Sequence, residues 1–486
     1  MKNKKSIFLF CAAIVSALVI SNCKYDKGTP EFNGFPAPVG KLMFTQCATS
    51  GCHTDNSKEA AGGLSMESWD KLFEGGNGSA CVIPYRHDYS TLFSYVNTYS
   101  DLGVTLTPTM PFNHPPLSRE DVILLRDWID AGAPSSEGEI KFSGPRKKFY
   151  VTNQGCDVVT VFDQATLLPM RYVNVGASPS IESPHMVRVS PDGQYWYVVF
   201  TAGLYMEKYS TLDDSFVGRA YIGPGSWNSC VITNDGTTGF CIDFSPTNAK
   251  IATVVLANMS ETISPGLSYP HGCTLDNSNT NLYITQQEGN DIYKFPVADF
   301  TAFTTPPLNP TLLPPATLKT HDVRFTPDGS KYLVTCQGTS EVRIMQASND
   351  SLLAIIPVGA MPSEICFSTS TPYAFVTCME DTTTFSGKRG SVAIINYVSN
   401  SFSGAVYTGH QPHGIEVDEN KKLVYVVNRN FSTDGPAPHH STECGGRNGN
   451  VSFIDLVTRT MVTNHAGTSI KKVEISADPY SVSVKQ

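Results

Sequence analysis

The seven residues Cys47-Ala48-Thr49-Ser50-Gly51-Cys52-His53 put two thiols and an imidazole within one short stretch. Two close thiols can add across the vinyl groups of a porphyrin as thioethers, and a histidine directly after the second can become the proximal ligand of the iron, which is the chemistry of covalent haem attachment. The spacing is a variant, because four residues separate the cysteines here where the usual attachment signature has two. The same pair could instead close a small disulfide loop in an exported chain. The first reading makes the chain an electron-handling protein, and the second leaves a stapled accessory segment.

A second set of imidazoles recurs at long intervals. His185, His271, His321 and His413 each stand second in a strand-opening segment, and Asn228, Ser363 and Tyr480 hold the same place in three further copies. Four imidazoles converging on one axis are what copper, zinc or another transition metal would need. The competing reading is that a Pro-His opening is a habit of the repeat, with the rings hydrogen-bonded to neighbouring strands or water. His410 stands just before one copy and belongs to the preceding loop. Further on, His439, His440 and Cys444 lie in a polar insertion, where they read either as ligands capping the site or as incidental residues of a surface loop. Cys230 and Cys273, and likewise Cys336 and Cys378, fall at matching places in their repeats and read as small buried fillers. No Ser-His-Asp order, phosphate loop or dinucleotide fingerprint stands in a supporting context, so hydrolysis has no positive support.

The elements that must hold these groups begin after a leader. Residues 1–22 open on Met1-Lys2-Asn3-Lys4-Lys5 and run apolar from Ile7 to Ile20, the composition of a secretory signal peptide rather than a membrane span. Cys23 follows at the cleavage position, where it resembles the lipid-bearing cysteine of a bacterial lipoprotein box; residues 23–37 would then be a tether. The resemblance implies an exported chain, anchored in the cell envelope at the periplasm or the outer membrane and touching the membrane only through its lipid. Removing residues 1–22 takes away three lysines and no acid, moving the formal charge from -9 to -12. Such an acidic chain excludes nucleic acid as a natural partner and suits a basic redox partner.

Residues 38–135 form the first expected domain. Gly62-Gly63-Leu64, Ser90-Thr91-Leu92 and Thr109-Met110-Pro111 follow the thiol heptad. Ser118 is an N-cap for an amphipathic helix in which Val122, Leu125 and Ile129 share a face beside Trp128, and Gly132 ends it. Taken in this order, the pieces resemble a small class of cytochrome c domains found in exported bacterial proteins, over about a hundred residues. That resemblance implies an all-α domain carrying haem c on Cys47 and Cys52, with His53 on the iron and Met110 as the second axial ligand. Met66 and His114 compete for that last place, and Met110 could equally be filling an apolar gap.

A short linker over residues 136–147 precedes a repetitive all-β region, 148–486. Phe149-Tyr150-Val151-Thr152-Asn153 is echoed by Tyr332-Leu333-Val334-Thr335-Cys336, Ala374-Phe375-Val376-Thr377-Cys378 and Val424-Tyr425-Val426-Val427-Asn428. The marker positions from His185 to Tyr480 are spaced by 43, 43, 50, 42, 50 and 67 residues. Seven copies at this period predict a seven-bladed β-propeller, its first blade completed by the strand over 479–484. The repeats resemble the YVTN family of propellers. The channel histidines resemble the copper-bearing propeller of nitrous oxide reductases, although three of the seven places hold Asn, Ser or Tyr. A cytochrome ahead of a propeller is also similar to the layout of cytochrome cd1 nitrite reductases, which have eight blades. The whole therefore reads as a multidomain, exported c-type haem protein carrying out electron transfer. The propeller would bind a partner, substrate or metal, and any catalysis would be that of a haem-dependent oxidoreductase. The alternative is a non-catalytic binding or scaffold propeller lipoprotein.

Overall fold

A computed structural model describes residues 31–485 apart from 307, 309–316, 439–441, 443, 465, 466 and 468. The leader, Cys23 and the start of the tether lie outside the described residues, as do His439 and His440.

From Lys148 onward the chain builds seven antiparallel sheets arranged as the blades of a propeller. Among the described residues six have four strands, and the fourth has three with an isolated bridge between Lys294 and Thr304 at its edge. Middle strands such as Lys148–Asn153 and Val158–Asp163 are buried on both faces, because each blade is covered by the next. The outermost strands, Phe216–Tyr221 and Ser401–Val406, are largely exposed. The innermost strands are Pro184–Val189, Trp227–Ile232, Pro270–Leu275, Thr320–Phe325, Pro362–Phe367, Pro412–Asp418 and Pro479–Val484, so every sequence marker opens an inner strand.

The ring closes through its last strand. Pro479–Val484 lies beside Lys148–Asn153, pairing Val484 with Phe149 and Val482 with Val151, as the repeat pattern predicts. Next to this seam Cys156 and Cys444 form a disulfide with their Cα atoms 5.6 Å apart. That assigns the cysteine of the last insertion to a covalent staple between the seventh blade and the first.

Residues 31–147 contain no strand among the described residues before Lys148. Regular helix is scarce: Ala37–Leu42, Trp69–Leu72, Thr91–Val96 and the twelve residues Arg119–Asp130. An all-α cytochrome domain is thus not evident from helix content. The reason is local, since Gly, Pro, Ser and Asn recur between residues 54 and 118 and break the chain into turns. The final helix is the one the pattern predicts. The Ser118 hydroxyl accepts from the Asp121 amide at 3.2 Å, and Val122, Leu125, Trp128 and Ile129 are buried. Both indoles are tied down, Trp69 donating to the Ala133 carbonyl and Trp128 to that of Pro134, each at 2.9 Å.

This segment docks on the first and seventh blades. The Glu474 amide donates to the Gly78 carbonyl and the Ser79 hydroxyl to the Glu474 carbonyl. Arg86 donates to the Tyr172 carbonyl at 2.9 Å, and Tyr89 stacks on the Tyr172 ring at 4.1 Å. Ala80 and Ile83 enter the apolar core shared by Phe149, Tyr425 and Val482.

Candidate functional site

The thiol heptad folds as a closed loop. Ala37–Leu42 runs directly into a wider helical turn, Met43–Cys47. The four spacer residues then swing out and return, so that the His53 amide donates to the Cys47 carbonyl at 3.2 Å. Gly51 takes φ +83° at the tip, a conformation that favours glycine. Cys47 is buried in the core with Leu72, Val82 and Phe93, while Cys52 is half-buried, and both are free thiols. Burial, reinforced by Cys52, pushes the Cys47 thiol up to about 12.

His53 lies with Nδ1 3.3 Å from the Leu64 carbonyl. The carbonyl can only accept, so Nδ1 carries the proton and the Nε2 lone pair is left for a ligand, the orientation that metal-binding histidines commonly adopt. Burial lowers the His53 pKa, which favours the neutral, ligating form. The Met66 amide donates to the His53 carbonyl at 2.9 Å, joining the loop to a buried methionine. Met110 is half-buried, packs against the same core as Cys47 and donates its amide to the Tyr95 carbonyl. His114 is exposed. A third free thiol, Cys81, is buried, feels the charge of Cys47 and is pushed up to about 12, chiefly by burial; nothing in its spacing from the heptad announces this.

The second cluster is the mouth of the propeller channel. The residue before the inner strand is left-handed at Ser183, Tyr269, Lys319, Met361, Gln411 and Asp478, with φ from 49° to 57°. A bulge follows in the strand, where threonines on the neighbouring strand take over from the ladder. Thr377 accepts from the Glu364 amide of its own blade and donates to the His413 carbonyl of the next. Thr152, Thr285 and Thr335 do the same for Ser481 and His185, Gly272 and His321, and Asp322 and Ser363. The Thr of the repeated strand therefore staples blade to blade and fixes the channel residues.

His185, His271, His321 and His413 do meet, with Tyr480 completing a ring. Centroid separations around it are 6.4 Å from His185 to His271, 4.1 Å to His321, 5.4 Å to His413, 3.8 Å to Tyr480 and 3.9 Å back to His185. Arg429, held by Asp478 at 2.7 and 2.9 Å, lies 4.8 Å over the Tyr480 ring. Burial and mutual repulsion lower all four imidazoles, helped at His185, His321 and His413 by the Arg429 guanidinium, and His321 falls to about 3. The ring is therefore neutral at pH 7. The neighbour-bonded reading holds for His271, whose Nδ1 is 3.2 Å from the His321 carbonyl. For His185 neither ring nitrogen has a protein partner, and both are buried. Among the described residues, no group of three or more His, Cys, Asp or Glu side chains is arranged to hold a metal ion.

Deeper along the same strands lies a charged set absent from the sequence reading. Arg324 is 3.2 Å from Asp322, whose carboxylate also accepts from the Ile365 amide of the next blade. Glu364 lies 3.7 Å from His413 Nδ1, and burial raises its carboxyl to about 7 against the pull of Arg188. Burial raises Glu416 in the same way. The available signal was positional: Asp322 and Glu364 directly follow a marker residue, and Arg188, Arg324 and Glu416 stand three after one. Cys230, Cys273, Cys336 and Cys378 are buried, free thiols, and His410 is buried in the loop before its strand with Nε2 2.7 Å from the Ser432 hydroxyl.

No protein-family model matches the chain, and no curated protein sequence matches it. Solved structures do. A periplasmic gluconolactonase of Pseudomonas aeruginosa superposes with a TM-score of 0.52 at 14% identity, over 70% of this chain and 98% of that one. A functionally unknown protein from Desulfotomaculum acetoxidans gives 0.50 at 13%, over 68% and 100%. Together with the blade count they define this chain as containing a seven-bladed β-propeller; at such identity the likeness concerns fold alone.

Proposed function

We propose that the protein is an exported, lipid-anchored c-type haem protein that transfers electrons, with the propeller as its docking platform. The observation carrying this reading is the thiol loop. Two reduced cysteines flank a turn that ends in a neutral histidine whose Nδ1 is engaged by the Leu64 carbonyl and whose Nε2 is left over. The donor set fits haem c: Cys47 and Cys52 would hold it by thioethers, and His53 Nε2 and the Met110 thioether would bind its iron. Haem so bound would supply one-electron chemistry at iron. Leu64 orients the imidazole, and the apolar core around Cys47 excludes water from that side. The Cys156–Cys444 disulfide supports an oxidising compartment, and the net charge of -9 suits a basic partner.

The test is a pyridine haemochrome spectrum of protein matured in a host competent for haem attachment, with mass spectrometry of the peptide spanning Cys47 and Cys52. A c-type band and a haem adduct are expected, both lost in Cys47→Ser/Cys52→Ser. An unmodified peptide, or one lighter by two hydrogens as a disulfide, overturns the reading and leaves a non-catalytic scaffold. Cys23→Ser is expected to release the protein from the membrane fraction. A second reading, motivated by the four imidazoles that meet at the channel mouth, gives the channel a transition metal such as copper. Metal content unchanged in His271→Ala/His321→Ala would remove it.

A further inference from the structure

We propose that a pocket between the sixth and seventh blades, far in sequence from the thiol loop and separate from the channel ring, binds a small polyvalent oxyanion carrying carboxylate or phosphate groups. The pocket holds ≈ 480 Å³ and is lined by Lys388, Arg389, Tyr407, His410, Asp434 and Lys472, among others. That volume is in the range of small-molecule sites. Thr382 to Arg389 and Asp434 to Pro436, from two insertions that break the repeat period, line it, with Lys472 from the last strand of the seventh blade. Loops set on a rigid ring are where propellers and other scaffolds place their binding residues.

The charges in it are unequally satisfied. Arg389 donates to Glu380 at 2.8 Å and bridges to Asp434 at 2.9 Å, while its buried Nε has no partner. His410 is neutral at pH 7, since burial lowers its pKa. Lys388 and Lys472 instead both point at one ring: their ammonium groups lie 5.2 and 5.1 Å from the Tyr407 centroid. Neither has a carboxylate within 4.0 Å among the described residues. Two cations gathered on one aromatic side chain, in a chain of net charge -9, repel each other. Burial and Lys388 together lower the Lys472 pKa. Ammonium groups resting on a tyrosine face gain roughly 0.5–1 kcal/mol where exposed, which does not explain why two are collected there beside a cavity. An oxyanion between them would accept from both and relieve the repulsion. Asp434, paired with Arg389 in the same pocket, limits the negative charge the site tolerates.

Isothermal titration of the full mature protein with inorganic phosphate and with citrate tests this and distinguishes the two chemistries. Saturable binding of at least one is expected, weakened at least tenfold in Lys388→Gln/Lys472→Gln and strengthened severalfold in Asp434→Asn. Should the double variant lose its fold, Lys388→Gln alone, at an exposed position, is expected to weaken binding about threefold. Absence of binding by either anion up to roughly 10 mM, or affinity within twofold of the parent in the lysine variants, overturns the proposal. Binding is expected whether or not haem is attached, so its failure is distinct from failure of the redox reading.

Discussion

Replacing Thr377 by valine isolates the bond that joins one blade to the next. The two side chains have nearly the same shape, so no cavity opens, and what disappears is a hydroxyl that is fully buried. That hydroxyl donates to the His413 carbonyl at 2.8 Å and accepts from the Glu364 amide at 3.1 Å. Valine leaves a buried N–H and a buried C=O each short of a partner, and an unmet buried group costs about 1–3 kcal/mol. Two such groups set an upper limit near 6 kcal/mol, which structural relaxation reduces. Val199, Ile242 and Val427 occupy the equivalent place in the second, third and seventh blades; in the second and third Met186 and Ser229 pair directly across the ladder, whereas the seventh makes its jump from Pro412 to Ile415 without a hydroxyl there. In the sixth blade the register jumps from Pro362 to Ile365, so no ladder bond can replace the hydroxyl. We expect a loss of about 2–4 kcal/mol. Thr377→Ser, which keeps the hydroxyl and removes one methyl group, is expected to cost about 1 kcal/mol. Urea unfolding followed by the fluorescence of Trp196 and Trp227, both buried in the propeller, measures both. A valine variant within about 0.5 kcal/mol of the parent, or a serine variant as unstable as the valine one, would refute the stapling argument.

Two further outcomes follow from the same structure. Opening the Cys156–Cys444 link with Cys156→Ser/Cys444→Ser frees a loop of 288 residues and is expected to lower stability by roughly 2–5 kcal/mol, read as a shift in the urea midpoint; an unchanged midpoint would mean the bridge does not form. Acid stability should track the channel ring. His321, lowered from 6.5 to about 3, binds fewer protons folded than unfolded, so its contribution is whole above pH 6.5 and is lost as pH falls toward 3. At pH 4.5 that amounts to roughly 2–3 kcal/mol, absent in His321→Phe. Glu364, raised from 4.5 to about 7, acts in the opposite sense, costing stability as pH rises through that window, and Glu364→Gln should flatten that decline. Unfolding curves at several pH values separate the two.

The architecture of the ring was legible because each blade repeats one local code. A marker at an interval of 42 to 67 residues opened every inner strand, and alternation within the strands gave the buried faces. The Ser118 cap and its helix were equally legible, since both depend on neighbours in sequence. What could not be read was whatever depends on distant pairs. The Cys156–Cys444 bond joins residues that only ring closure brings together. Glu364 and Asp322 look like ordinary strand residues until seven strands converge on one axis. The thiol loop was legible as a motif, while the role of Leu64 needed the fold, because a backbone carbonyl has no sequence signature.

The seam between the first and last blades also has a consequence for biogenesis. Until Pro479–Val484 arrives, the strand at Lys148–Asn153 presents a bare row of amides and carbonyls facing the axis. At typical synthesis speeds that interval lasts roughly half a minute. During it, the terminal segment of a second molecule would fit the gap as well as the chain's own. Translocation as an unfolded thread would keep that edge from forming until its proper complement is present.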